Sequence, residues 1–125
     1  MLYIEDNVIY LTRGDDGALE MNEITDDSGA PYTLQSGDTL TISVRALPAE
    51  DSPLLFSVTS IPGSARLLIR SADTENLAPG RYSADIQLTT PEGYRFTVWS
   101  QLQGSKRYLA SNLKNFIIMP EVTTT

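Results

Sequence analysis

Neither cysteine nor histidine occurs in this chain of 125 residues. Without cysteine there is no disulfide, no thiol nucleophile and no thiolate to offer a metal. Without histidine, Ser-His-Asp and Cys-His arrangements and imidazole-bound metals are excluded too. Positive charge is scarce: 9 Lys and Arg stand against 16 Asp and Glu, a net charge of −7. That balance argues against nucleic acid, whose backbone needs a cationic footprint, and against anionic membrane for the same reason. No hydrophobic run approaches the length of a membrane span. The opening MLYIEDNVIYL carries acids where a signal peptide needs a basic stretch and a continuous apolar core. The expectation is therefore a complete, unexported product running from Met1 to Thr125. The absence of cysteine fits a reducing compartment and equally a bacterial or viral surface protein.

What is present is a globular composition, 41% hydrophobic and 20% charged, in a length that suits one domain, residues 1–125. Short runs of alternating polarity recur, separated by turn chemistry. Leu2–Ile4 and Val8–Thr12 flank Asp6-Asn7, and Arg13-Gly14-Asp15-Asp16-Gly17 is a turn. Ala18 to Thr25 reads as an irregular strand, and Asp26 to Pro31 as a second strong turn. Tyr32 to Gln35 leads to Thr39–Leu47, whose alternation of Leu40, Ile42 and Val44 with Thr41, Ser43 and Arg45 predicts a half-buried antiparallel strand. Leu54–Thr59, Ala65–Arg70, Tyr82–Thr90 and Tyr94–Ser100 follow as further strands. Gln101 to Asn115 has no clean period of two and admits an irregular loop or a short helix around Tyr108–Leu113. Phe116 to Val122 closes as a strand whose Pro120 suits an edge. Seven or eight strands with regularly spaced turns predict an all-β, antiparallel sandwich.

The join between the strands at Ala65–Ser71 and Tyr82–Thr90 defines the sandwich type. Asp73 and Thr74 cap a single helical turn, Leu77 anchors it, Pro79-Gly80 reverses the chain and Tyr82 opens the next strand. Leu77, Pro79, Gly80 and Tyr82 have the spacing of the immunoglobulin-like corner, in which a tyrosine hydroxyl bonds to backbone just upstream.

Chemistry is thin by comparison. The only catalytic groups available are carboxylate pairs, and a domain this small leaves little room for a deep cleft, so the chain reads as a non-enzyme. Asp15-Asp16 and Asp26-Asp27 could hold Ca²⁺ at one end of the sandwich, but no EF-hand spacing is present and turn aspartates explain them, so neither a metal nor a cofactor is expected. Arg13-Gly14-Asp15 spells an integrin-recognised triplet yet sits within an ordinary strand connection. Trp99 leaves two readings open: an outward interface anchor beside Arg95 and Thr97, or a core residue turned inward by a bulge. Phe116-Ile117-Ile118-Met119 is apolar on both faces, which means burial on both sides or cover from a neighbouring subunit, and it marks the chain as a candidate homo-oligomer.

The ordered set of segments resembles a known family. Ile9 to Asp15, Asp27 to Leu34, Gly37 to Val44, Asp73 to Tyr82, Tyr82 to Leu88 and the exit through Phe116-Ile117-Ile118 and Glu121-Val122-Thr123 are similar to the immunoglobulin-like N-terminal domains of phage baseplate upper proteins and related prophage tail accessory proteins. In that family a coiled coil or receptor-binding module normally follows the domain; the expectation for this chain is a free-standing tail or head–tail accessory component. It further implies a virion structural protein that docks on other virion proteins, found in the bacterial cytoplasm before assembly. The rival reading is a carbohydrate-binding or adhesion module that stacks sugars on Trp99 with Tyr94 or Tyr108.

Overall fold

The computed structural model describes residues 1–5, 8–21, 24–26, 28–47, 51–100 and 115–121. The strands are β1 (Leu2–Glu5), β2 (Val8–Thr12), β3 (Gly17–Glu20), β4 (Thr39–Arg45), β5 (Leu54–Thr59), β6 (Arg66–Ile69), β7 (Gly80–Thr89), β8 (Arg95–Ser100) and β9 (Phe116–Met119), with one helical turn, α1 (Ser71–Thr74). The fold is an all-β sandwich. One sheet of seven strands runs β1-β2-β9-β7-β4-β5 with β8 also on β7, and β3 and β6 form the second sheet.

Alternation explains the layering. Leu40, Ile42 and Val44 of β4, Ala84, Ile86 and Leu88 of β7, and Ile9 and Leu11 of β2 turn inward and are buried, while their sequence neighbours point out. Leu19 of β3 and Leu67 and Ile69 of β6 close the core from the other sheet, at 0–2% exposure. Each such aliphatic contributes about 1.5–3 kcal/mol by burial. Gly17 opens β3 where β1 crosses it: a Cβ there would come within 2.8 Å of the Leu2 Cβ, so only glycine fits.

Several expectations change in detail. The pairings are antiparallel except β2 with β9, which is parallel, from Ile9↔Phe116 to Thr12↔Met119. Among the described residues the strands number nine, and β8 and β9 lie along one edge of β7. Ser100 pairs with Asp85 and Phe116 with Tyr82. Only Ser83 and Ala84 separate those positions on β7, whereas residues 101–115 separate them on the other side. Asn115 bridges the gap: its Oδ1 accepts from the Ala84 N–H at 2.7 Å and its Nδ2 donates to the Ala84 carbonyl at 2.9 Å. β9 is therefore an internal strand and not an edge; it ends at Met119, so Pro120 never enters the ladder. β3 ends at Glu20, short of the expected Thr25; among the described residues beyond it the pairing is the isolated bridge Thr25↔Pro31. The region around Tyr108–Leu113 lies outside the described residues.

Candidate docking surface

The outer face of β1, β2 and β9 carries one group of apolar side chains outside the core; Ile4, Leu47, Leu54, Ile61, Leu68 and Tyr94 are exposed elsewhere. Register places Tyr3 opposite Tyr10, Tyr10 opposite Ile117, and Ile117 opposite Arg81 of β7, so these four form one row across the sheet. Val8 lies beside Glu5 in the same way, and Met119 beside Thr12. The rings of Tyr3 and Tyr10 stack at 4.7 Å with an interplanar angle of 8°. The Tyr3 hydroxyl donates to Met119 Sδ at 3.9 Å. Val8, Tyr10, Ile117 and Met119 are half-buried, and Tyr3 is 38% exposed. Glu5 and Arg81 border the face, are exposed, and make no ion pair among the described residues.

This placement divides the four residues of β9. Phe116 and Ile118 are fully buried in the chain's own core, so they are removed as interface candidates; Ile117 and Met119 remain on the outer face. The reason is the alternation of side chains along β9, which lies inside the sheet between β2 and β7. Tyr3 and Tyr10 did not figure among the sequence candidates. The signal was there: the two residues Asp6-Asn7 between runs of strand type set Tyr3 opposite Tyr10.

The corner residues assemble as a structural unit. The Tyr82 hydroxyl donates to the carbonyl of Ala78 at 2.5 Å, and Leu77 and Tyr82 both pack against the core. The helical turn closes through Asp73, whose carboxylate accepts from the Arg70 N–H at 2.8 Å. Thr74 does not cap its own turn. It is wholly buried, and its Oγ1 accepts from the Gly14 N–H at 2.9 Å. Asp16 Oδ1 accepts from the Ser71 N–H at 2.7 Å. The turn Arg13-Gly14-Asp15 is thus fastened to the corner. Arg13 N–H also donates to the Met119 carbonyl at 2.9 Å, and the Asp15 carboxylate takes the N-terminal ammonium of Met1. The triplet is thus held through the backbone of Arg13 and Gly14 and through the carboxylate of Asp15.

The remaining polar centres serve turns and loops. Asp38, 1% exposed, accepts from the Tyr32 hydroxyl at 2.6 Å and the Gln35 N–H at 2.9 Å, while its carbonyl accepts from the Gly63 N–H at 2.7 Å. The hydrogen bond to Asp38 pushes the Tyr32 hydroxyl up to about 12. Asp26 Oδ1 accepts from Ser28 and from the Ala30 N–H, and the Ser28 bond foremost lowers its carboxyl below the usual range. Burial raises the Asp85 carboxyl, opposed by the charge of Arg45. Among the described residues no group of three Asp or Glu is placed to hold a metal. No helix among them is long and apolar enough to cross a membrane.

A bulge in the β7–β8 ladder skips Val98 and sets the backbone of Trp99 opposite Ile86; the orientation of its side chain and the position of Tyr108 lie outside what is described. Tyr94 is 52% exposed at the β7–β8 hairpin, tilted against Phe96 at 5.6 Å. No protein-family profile matches this chain, and no curated protein sequence matches it either.

Proposed function

We propose that this chain is a non-enzymatic structural component of a phage or prophage particle, a tail or baseplate accessory protein that acts by docking on its neighbours. The observation that carries this reading is the outer face of β1, β2 and β9. There Tyr3, Val8, Tyr10, Ile117 and Met119 stand together in a chain whose net charge is −7, with Glu5 and Arg81 only at the borders. Charge depletion around aromatic and aliphatic anchors is the signature of a protein–protein interface. The ordered turn segments and the tyrosine corner, similar to those of baseplate domains, give the docking partner its class.

The test is mass spectrometry of purified particles from a host that carries this sequence. The chain is expected at a fixed stoichiometry to the tail proteins. Its absence from particles, together with failure to co-purify with any tail protein, overturns the reading.

The rival carbohydrate-binding module draws support from Tyr94, more than half exposed at a loop. Glycan-array binding that Tyr94→Ala abolishes would favour it over a particle role.

A further inference from the structure

The row Tyr3–Tyr10–Ile117–Arg81 has an order that matches its own reverse. Laid face to face about a two-fold axis parallel to the strands, β1 of one copy lies over β7 of the other, and β2 over β9. Tyr10 then meets Ile117, and the exposed ring of Tyr3 meets the Arg81 guanidinium, an aromatic face over a cation. Glu5 stands on the same face of β1, about 7 Å along the strand from Tyr3, within reach of the same guanidinium. Each contact occurs twice, as an isologous interface requires. Neither Glu5 nor Arg81 has an ion-pair partner among the described residues.

We propose that this face is a two-fold interface between two copies of this chain, with Tyr10 and Ile117 at its centre and Glu5 and Arg81 closing its borders. The argument is charge complementarity: an acid at one margin and a cation at the other repel nothing when the face meets itself inverted. A like-charged pair of margins, in a chain this acidic, would oppose the contact. The inference rests on the reading of the chain as a docking component and names the occupant of that face.

The face is roughly four strands by four residues, on the order of 300 Å² per copy. That is below the roughly 800 Å² per partner of a standard complex, so the dimer is expected to be weak, with a dissociation constant of about 0.1 mM. Sedimentation equilibrium of the full chain from about 10 μM to about 1 mM covers that range. Wild type is expected to pass from monomer to dimer. Glu5→Arg and Arg81→Glu, each confirmed folded by circular dichroism, are expected to weaken the dimer about tenfold, as loss of a charged contact does. The double exchange is expected to restore it, which a merely structural effect of either substitution would not do. Ile117→Asp is expected to leave monomer only, and Thr97→Glu, on β8 outside the face, to leave the association unchanged.

A monomeric wild type at the highest concentration overturns the inference. So does a double exchange no tighter than its single parents, or a loss with Thr97→Glu equal to that with Arg81→Glu. A monomeric chain that still co-purifies with a tail protein removes the self-interface and leaves the docking role standing.

Discussion

Tyr82, Tyr32 and Asp38 show how much single polar groups hold here. The Tyr82 hydroxyl has one partner, the Ala78 carbonyl, across the turn that carries the chain between sheets. Tyr82→Phe keeps the ring on the core and loses that bond, so a urea titration is expected to show a loss of about 1 kcal/mol, the net value of one hydrogen bond. Tyr32 gives a pH dependence with a definite sign. Its hydroxyl is raised in the folded state from 10 to about 12 because the neutral form donates to the Asp38 carboxylate. The stabilisation is therefore complete below pH 10 and is lost as pH rises through about 12. Thermal melts between these limits are expected to fall more steeply for wild type than for Tyr32→Phe. An equal slope would assign the alkaline loss elsewhere.

Among the elements, β4 and β7 were the most legible in the sequence, since strict alternation of Leu40-Ile42-Val44 and Ala84-Ile86-Leu88 reports one buried face directly. The corner was legible as well, because Leu77, Pro79, Gly80 and Tyr82 act on each other within a few residues. β9 was legible as a strand but not as an internal one. Its place depends on β2, more than a hundred residues away in the chain, and local pattern carries no trace of so distant a parallel partner. Asn115 was equally hidden. An asparagine ahead of an apolar run reads as a turn residue, whereas here its carboxamide stands in for the peptide that β7 would otherwise meet. Asn115→Asp keeps the acceptor and removes the donor at a site 2% exposed. It is expected to cost about 3 kcal/mol, from the unsatisfied Ala84 carbonyl and the buried charge. Chemical denaturation measures it, and a change within error would mean the clamp is dispensable.

For the molecule as a whole, the sandwich followed from composition and turn spacing, but the proposed docking face did not. Residues on that face are outward by alternation, and an outward tyrosine in a single sequence does not announce which neighbours stand beside it. Only the register of three strands brings Tyr3, Tyr10 and Ile117 into one row. The absence of cysteine and histidine bears on the whole chain too. A single unfolding transition is expected whose midpoint is the same with and without a chelator, since turn aspartates such as Asp26 are already occupied by Ser28 and Ala30. A calorimetric rise in that midpoint on adding Ca²⁺ would reinstate a metal site.

The parallel pairing of β2 with β9 also sets the order in which the chain can fold. The place that Phe116 and Ile118 fill lies between β2, with Ile9 and Leu11, and β7, so it is walled by strands far apart in the sequence. On a ribosome β2 must therefore wait, with its apolar face open, until the roughly hundred residues between it and β9 have emerged. Contacts of such long separation slow folding into the millisecond-to-second range. During that wait the unfinished sandwich offers an empty slot between β2 and β7, fitted to β9 alone.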